Sequence, residues 1–284
     1  MENPQIQASH SDHTRILQLQ DVALGYGQNV VLSDVNLQVV RGQVAALIGG
    51  SGSGKSTILK SITGQLKPKQ GTVTLLGQDL GNATGAQLSA LRRKMGVLFQ
   101  QGALLTDLNV FENVAFPLRE LTSFNEPQIT TRVLEKLEAV GLRAAAHLRI
   151  SEVSGGMARR VALARAIVME PELILYDEPF AGLDPVSLGM IAALIRRLCE
   201  QFNCGALLVT HDIEESFEIV DYVYMIGNGT IIENGTPEQL QQSTQPIVQN
   251  FLKGLPADGR NYSNYPVTPA FEHWLETKQA RGEK

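Results

Sequence analysis

A glycine-rich run early in the chain has the residue types and the spacing of a phosphate-binding loop. It fits the pattern G-x-x-x-x-G-K-[ST] and consists of Gly49, Gly50, Ser51, Gly52, Ser53, Gly54, Lys55, Ser56 and Thr57. Small residues let backbone N–H groups face phosphate oxygens, and a following helix N-terminus adds positive partial charge. In such a loop Lys55 reaches the β- and γ-phosphates, and the Ser56 hydroxyl binds Mg²⁺. The alternative, a Gly/Ser-rich turn with a solvated lysine, is disfavoured because a strand pattern at 44–48 precedes the loop and a helical pattern at 58–62 follows it.

Two adjacent carboxylates end a second apolar run and form the next chemical candidate. The apolar residues 173–176 are followed by Asp177 and Glu178. Ionised carboxylates at the end of a buried strand are unfavourable unless a cation lies nearby. Beside a phosphate loop the simplest cation is Mg²⁺, held by Asp177, while Glu178 orients or deprotonates the attacking water. The alternative is a solvated strand end without a chemical role.

A glutamine and a histidine follow two further strand patterns. Gln100 comes after residues 95–99, and His211 comes after the strand pattern 207–210. Asp212 and Glu215, which follow His211, have the spacing of a capping box for the next helix. Open α/β sheets bind their ligands at the carboxyl ends of the strands, which is where such side chains lie. A lone histidine is more often structural, but beside a triphosphate His211 can donate a hydrogen bond to the γ-phosphate.

Three other candidates are weak when each is taken alone. Tyr26 is flanked by glycines, which suits either a turn aromatic or a platform for adenine. Ser154, Gly155 and Gly156 precede a helical pattern, as an ordinary helix start or as N–H donors to an anion. Asp184 precedes a proline and has the pattern of a helix N-cap, which accounts for it without a ligand.

Composition limits the classes of protein that the chain can be. It has 284 residues, 43% of them hydrophobic, enough for a sizeable core. The net charge of −5, without a Lys/Arg-rich run, disfavours a nucleic-acid partner. Its two cysteines, Cys199 and Cys204, fit neither a disulfide framework nor a metal pair. No apolar run approaches about 18 residues, and residues 1–15 lack a signal-peptide pattern. We therefore expect a cytoplasmic protein that contacts a membrane only through a partner.

The elements that must position these residues alternate between strand and helix. Strand patterns occur at 16–24, 30–40, 71–76, 95–99, 173–176, 207–210, 222–226 and 230–232. Between 103 and about 168 the pattern is helical, with an amphipathic helix expected after Asn125 and closed by Gly141. The chain is therefore expected to be of the α/β class.

The order of the motifs resembles that of ATP-binding cassette (ABC) transporter ATPases over about residues 15–240. Tyr26 matches the adenine-stacking A-loop, residues 49–57 match the Walker A loop, and Gln100 matches the Q-loop. Residues 154–157 match the signature, and residues 173–177 match the Walker B strand. Residues 181–184 match the D-loop, and His211 matches the switch histidine. Six or more motifs in family order are specific, although each alone is not. The signature departs from Leu-Ser-Gly-Gly-Gln at both ends, with Val153 and Met157, which affects the dimer interface more than the phosphate contacts.

This resemblance implies a P-loop NTPase of the ABC ATPase fold. That fold has a RecA-like core, an antiparallel β subdomain and a helical subdomain inserted at about 103–168. Two copies would face head to tail, with each ATP between the Walker A loop of one copy and the signature of the other. The opening and closing of this dimer would act on a membrane permease through a groove beside Gln100.

The resemblance also assigns roles to the candidate residues, with ATP and Mg²⁺ as cofactors. It implies four catalytic residues, Lys55, Gln100, Glu178 and His211. It implies that the metal is held by Ser56, Gln100 and Asp177. The implied nucleotide contacts are Tyr26, all residues of 49–57, Ser154, Gly155, Gly156 and Asp184.

Two stretches resemble a narrower group, the ATPases of the Mla (maintenance of lipid asymmetry) phospholipid transporters of Gram-negative bacteria. They are residues 99–105 with 109–120, and Met157 followed by Ala158, Arg159 and Arg160. This implies an inner-membrane permease, a small STAS-domain subunit on the helical subdomain, and a periplasmic lipid-binding MCE subunit. The chain would then lie on the cytoplasmic face of the inner membrane. The alternatives are an ABC importer ATPase for amino acids or metals, or a non-transport ABC protein such as an Fe–S assembly scaffold.

The C-terminal extension, residues 241–284, lies beyond the family's motifs. Its prolines and glycines predict only short regular pieces. Its aromatic residues are unusual for a free polar tail and comprise Phe251, Tyr262, Tyr265, Phe271 and Trp274. Such side chains would leave apolar surface in water, so we expect the extension to dock on the second ATPase copy.

Overall fold

The structure is a computed structural model that describes residues 15–100, 102–255 and 268–280. The chain divides into two compact units, Met1–Gln242 and Ser243–Lys284. The expectations for Tyr262 and Tyr265 fall outside the described residues. Across the described ranges, no helix is both long enough and apolar enough to cross a bilayer.

The first unit contains both strands and helices, in mixed order along the chain. Its described strands are β1 (Arg15–Tyr26), β2 (Asn29–Val40), β3 (Val44–Gly49), β4 (Gln70–Leu75), β5 (Gln78–Asp79), β6 (Met95–Leu98), β7 (Leu173–Asp177), β8 (Gly205–Val209), β9 (Tyr222–Gly227) and β10 (Thr230–Gly235). Its described α-helices are α1 (Lys55–Ile62), α2 (Gly85–Arg92), α3 (Val110–Leu121), α4 (Glu126–Ala139), α5 (Gly155–Ile167), α6 (Pro185–Phe202), α7 (Ile213–Phe217) and α8 (Pro237–Gln241).

A six-stranded sheet brings the chemical candidates to one edge. Its strand order is β10-β9-β3-β8-β7-β6. The pairs β3–β8, β3–β9, β7–β8 and β6–β7 are parallel, and β10 is antiparallel to β9. All residues of β3 and β8 are buried, as expected for parallel strands covered on both faces. Because parallel strands share the edge at which they end, the glycine loop after β3 lies on the same edge as the polar residues after β6, β7 and β8.

A second sheet is antiparallel, with the order β2-β1-β4-β5. In β1 the buried residues Leu17 and Leu19 flank the half-buried Gln18, which is the period-2 pattern of a sheet packed on one face. They belong to the same apolar core as Leu47 of β3 and Ile58 and Ile62 of α1. The expected α/β class with an antiparallel second sheet is confirmed.

The segment between β6 and β7 is helical, as the sequence predicts. Helix α4 begins after Asn125, whose side chain accepts from the Gln128 N–H and forms a capping box with it. Its buried face includes Ile129, Val133 and Leu137, and Gly141 follows it with a φ of 69°. The predicted amphipathic helix is confirmed. The bounds of a helical subdomain at about 103–168 stay a prediction.

Within the second unit, α9 spans Pro246–Leu252 and α10 spans Pro269–Ala280. At 12 residues, α10 is longer than the prolines predict. The reason is that Pro269 is the first residue of the helix. An N–H at that position has no partner within the helix, so proline is tolerated there. On α10 the rings of Phe271 and Trp274 lie 5.8 Å apart, and both side chains are exposed.

Tyr176 in β7 supports a prediction about stability. Its hydroxyl is buried and, among the described residues, has no hydrogen-bond partner, and burial raises the pKa of Tyr176 well above its usual value. Because the unpaired hydroxyl has lost its hydration, Tyr176→Phe should raise the free energy of unfolding by about 1 kcal/mol. Urea denaturation of the full chain measures this change.

Tyr224 offers a matched control for that substitution. Its hydroxyl is part-buried, donates to the Gln38 carbonyl at 3.0 Å and accepts from the Gln38 N–H at 3.1 Å. Tyr224→Phe should therefore lower the free energy of unfolding by about 1 kcal/mol or more. Equal losses of stability in both variants would contradict the prediction for Tyr176.

Candidate nucleotide-binding and hydrolysis site

The glycine loop turns sharply between β3 and α1, and its geometry requires glycine at two positions. Gly49 has a φ of 151°, and a Cβ there would lie 2.6 Å from the Ile226 carbonyl oxygen. Gly54 has a φ of 107°, and its Cβ would lie 2.8 Å from the Leu32 side chain. Helix α1 has no side-chain cap and no acidic residue in its first turn. Its N-terminal N–H groups and positive partial charge therefore suit an anion.

Lys55 lies across this loop at the start of α1. Its Nζ donates to the carbonyl oxygens of Gly49 at 2.7 Å and Gly50 at 3.1 Å. Burial lowers the pKa of Lys55, while the charges of Glu178 and Asp177 act to raise it. The structure thus brings the predicted lysine close enough to the acid pair for their charges to interact.

The acid pair lies at the end of β7. Burial, and then the charge of Glu178, raise the pKa of Asp177, whereas the charge of Lys55 lowers it. Glu178 has a φ of 49°, in the left-handed region that non-glycine residues rarely adopt. Its N–H donates to the Val209 carbonyl at 2.8 Å. Such a strained backbone is typical of functional sites, where surrounding contacts maintain it.

His211 lies beside Glu178, as their positions on neighbouring strands suggest. Its Nδ1 is 2.8 Å from Oε2 of Glu178, but the geometry makes no hydrogen bond, so this buried oxygen has no hydrogen-bond partner in the described part of the chain. Ligand atoms of Glu178, His211 and Asp212 all lie within 4.8 Å of one another. The acid and the histidine could therefore act on the same group.

The chemistry of these donors fits a nucleotide phosphate with a divalent cation. Ser53 Oγ in the glycine loop is buried and, like Oε2 of Glu178, has no hydrogen-bond partner in the described ranges. Buried polar atoms are normally paired, so both atoms have capacity for a ligand or its water. Asp177 and the exposed Ser56 add the hard oxygen donors that Mg²⁺ prefers.

Tyr26 lies against the helix that begins in the loop. It is 47% exposed, and Lys60 of α1 lies 3.3 Å from its hydroxyl and 5.4 Å from its ring centroid. Hydrogen bonds with Thr57, and then with Lys60, lower the pKa of Tyr26. An exposed ring beside the phosphate loop is compatible with stacking on a base.

The signature and the D-loop residues lie at two helix starts. Ser154 caps α5, with its Oγ accepting from the Met157 N–H at 3.2 Å. Asp184 caps α6 by accepting from the N–H groups of Val186 at 3.1 Å and Ser187 at 3.0 Å. Hydrogen bonding with Ser187 also lowers the pKa of Asp184. The N-cap predicted at Asp184 is confirmed.

The structure does not join the signature to the glycine loop of the same chain. Within the described residues, no hydrogen bond or ion pair links Ser154, Gly155 or Gly156 to residues 49–57. A Cβ on Gly155 would meet nothing within 4 Å. The helix start at Gly155 is therefore open to a group from outside the chain.

One local prediction is wrong, and one contact is not foreseen from the sequence. The spacing of Asp212 and Glu215 predicts a capping box, but the Asp212 side chain makes no cap. Instead its N–H donates to Thr210 Oγ1 at 2.9 Å, and its carboxylate faces His211.

Sequence reasoning also missed Arg159, a buried cation that contacts the loops after β6 and β7. Arg159 is one of three arginines on α5, and the sequence carries no signal that separates it from Arg160 and Arg165.

A glycine loop, an acid pair and a histidine on one edge of a parallel sheet define a P-loop nucleotide hydrolase. Residues 32–181 match the model of the family described as ABC transporter. The chain is 49% identical to the "Intermembrane phospholipid transport system ATP-binding protein MlaF" of Haemophilus influenzae, over 89% of this chain and 95% of that protein. It is 42% identical to the protein of the same name from Escherichia coli strain K12, over 89% and 93%.

Solved structures are similar over most of the chain. The cbiO1 protein of Clostridium perfringens, part of the ABC transporter complex cbiONQ, has a TM-score of 0.77 at 27% identity, with 93% of this chain and 99% of that chain covered. A dimeric ATP-binding cassette in a post-hydrolysis state, bound to ADP and Pi, has a TM-score of 0.70 at 30% identity, covering 78% and 99%. The chain belongs to the ABC transporter family, as one of its ATP-binding and ATP-hydrolysing subunits.

Proposed function

We propose that this chain powers phospholipid transport across the space between two membranes, as the ATPase of an inner-membrane ABC transporter. The observation that carries this proposal is the 49% identity to the Haemophilus influenzae phospholipid transport protein over 95% of that protein's length. This match covers 252 residues, so it extends well beyond the nucleotide motifs and through the segment between β6 and β7. The chain would lie on the cytoplasmic face of the inner membrane, held there by a permease.

A transport assay tests the proposed substrate. The complex of this chain with its permease, reconstituted in proteoliposomes, should transfer labelled phospholipid to or from a lipid acceptor when ATP is supplied. A complex carrying Lys55→Met should not do so. ATP hydrolysis stimulated by an amino acid or a metal ion, without lipid transfer, would instead favour an importer for those substrates.

In the proposed reaction the glycine loop binds the triphosphate, and Tyr26 stacks on the adenine. Lys55 approaches the β- and γ-phosphates, and Glu178 accepts a proton from the water that attacks the γ-phosphorus, so that ADP leaves. His211, beside Glu178, donates to the γ-phosphate. Ser56, Gln100 and Asp177 would hold Mg²⁺, which neutralises charge on the phosphate oxygens.

The active form would be a dimer in which each nucleotide contacts both copies. The open helix start at Gly155 and its lack of contact with residues 49–57 of its own chain support this arrangement. Ser154, Gly155 and Gly156 would then donate to the ATP held by the other copy, and Asp184 would lie at the same interface. Further proposed partners are a STAS-domain subunit on α3–α5 and a periplasmic MCE subunit.

We further propose that residues 241–284 form an extension of the ATPase domain that docks on the second copy. Phe271 is 43% exposed and Trp274 is 53% exposed on α10. Burying each could contribute about 2 kcal/mol before the loss of side-chain freedom is subtracted. The extension would then stabilise the dimer independently of ATP.

Removing the extension should weaken assembly without affecting nucleotide binding. Truncation after Gly254 should lower the amount of intact complex recovered, whereas the isolated chain should bind ATP as before. The double variant Phe271→Ala, Trp274→Ala should weaken subunit association at least about tenfold, and Glu276→Ala on the same helix is the control. Sedimentation without nucleotide measures the association. Unchanged assembly and activity after truncation would refute the proposal.

A further inference from the structure

One buried arginine connects two loops of the hydrolysis site. Arg159 lies on α5 and is 8% exposed. Its Nη1 donates to the carbonyl oxygens of Gln100 and, at 3.4 Å, of Phe99. Its Nη2 donates to the carbonyl oxygen of Ala181 at 2.9 Å. Gln100 follows β6, and Ala181 follows the acid pair after β7, so the two nitrogens of one guanidinium contact two different loops.

Among the described residues, the hydrogen-bond acceptors of Arg159 are all backbone carbonyl groups. In the part of the chain that the structure describes, no carboxylate forms a salt bridge with Arg159. Burial lowers the pKa of Arg159, with no acidic group opposing it. Burying a cation without a counter-ion is unfavourable, and an aliphatic side chain would fill a buried helix position without that cost. Packing alone therefore does not account for an arginine here.

Arg165, on the same helix, makes a similar contact with one loop only. Its Nη1 donates to the Ala103 carbonyl at 2.8 Å, and its Nη2 donates to the Gly102 carbonyl at 2.6 Å. Both acceptors belong to the segment after β6, and none of the described hydrogen bonds connects Arg165 to the segment after β7. Arg165 thus has the same chemistry as Arg159 but lacks the connection between loops.

We propose that Arg159 is a positioning residue for ATP hydrolysis, which fixes the main chain at Gln100 relative to the loop that follows Glu178. This inference rests on the proposed roles of Gln100 and Glu178. A planar guanidinium can donate to two acceptors in fixed directions, whereas the ammonium group of a lysine is a single point of charge. Lysine at this position would keep the charge but lose the connection between the loops.

The proposal predicts which kinetic constant changes. Arg159 makes no described hydrogen bond to Tyr26 or to residues 49–57, so the contacts that Tyr26 and the glycine loop would make with ATP stay in place without it. Misplacing a reacting group by about 1 Å can lower a rate up to about a hundredfold. Loss of the connection should therefore lower kcat and leave KM for ATP unchanged.

The experiment compares Arg159→Lys with Arg165→Lys in the complete transporter complex. We expect Arg159→Lys to lower kcat per active site about tenfold, with KM for ATP within about twofold of the wild-type value. Arg165→Lys should leave kcat within about twofold. The Tm of each complex is measured alongside, because a purely structural role would lower Tm and the fraction of active sites but not kcat per active site. Glu178→Gln is the inactive reference, and failure of this reference would count against the proposed function rather than against the role of Arg159.

A double-mutant cycle with Gln100→Ala tests whether Arg159 affects kcat through Gln100. If Arg159 acts by placing Gln100, then Arg159→Lys should lower kcat by less than about threefold once the Gln100 side chain is absent, since effects within one network are not additive. The proposal is overturned if the loss is tenfold in both backgrounds, if Arg165→Lys lowers kcat equally, or if KM rises while kcat is unchanged.

Discussion

Glu178→Gln should abolish steady-state ATP hydrolysis while leaving ATP binding intact. The substitution keeps the shape of the side chain but removes the carboxylate that accepts the proton of the attacking water. General-base catalysis typically contributes about 10²- to 10⁴-fold to a rate, so we expect kcat to fall at least about a hundredfold. With no turnover to reopen it, the ATP-bound dimer should accumulate. Phosphate release measures the rate, and gel filtration with MgATP measures the dimer.

The backbone conformation at Glu178 suits glutamate and glutamine equally. Its φ of 49° imposes a similar strain on glutamate and glutamine, because neither has a branched Cβ. The effect therefore reports on the carboxylate rather than on the fold of the loop. Glu214→Gln, at an exposed position near His211, is the control and should hydrolyse ATP normally. If Glu178→Gln retained activity within tenfold of the wild type, Glu178 would have no part in the mechanism.

Much of the fold could be predicted because its signals are local in the sequence. Residues 44–48 form a continuous apolar run that ends in glycine, and they are the buried strand β3. The same reasoning located Asp177 and His211 at strand ends, since apolar runs stop where polar residues begin. Parallel pairing then places those ends on one edge of the sheet, so proximity of the site residues follows from the class of fold.

The features that could not be predicted depend on contacts distant in the sequence. Arg159 is one of three arginines on its helix, and two of its acceptors lie 60 and 22 residues away along the chain. No periodicity indicates which carbonyl groups such a side chain will meet. The backbone of Glu178 is similar, because its left-handed φ is accompanied by a hydrogen bond to Val209 on the neighbouring strand. Asp212 shows the converse, since its local spacing predicts a cap but its carboxylate accepts from Thr210 Oγ1 instead.

Lys55→Ala should lower kcat/KM for ATP at least about a hundredfold. Lys55 is the cation within the phosphate loop. Burial lowers its pKa, and in such a partly buried place a charge interacts more strongly with a phosphate than it does in water. Removing one preorganised donor to a developing charge raises a barrier by about 3 kcal/mol, which corresponds to over a hundredfold in rate.

Lys55 also holds the carbonyl groups of Gly49 and Gly50, so its removal could loosen the loop as well as remove the charge. Lys55→Met separates these effects in part, because it keeps the aliphatic stem against the loop and loses only the ammonium group. We expect Lys55→Met and Lys55→Ala to be equally inactive in phosphate-release assays of the purified complex, with Tm close to that of the wild type in Lys55→Met. Lys67→Ala, at an exposed position after α1, should leave the activity unchanged. Activity of Lys55→Met within tenfold of the wild type would show that residues 49–57 are a turn rather than a phosphate-binding loop.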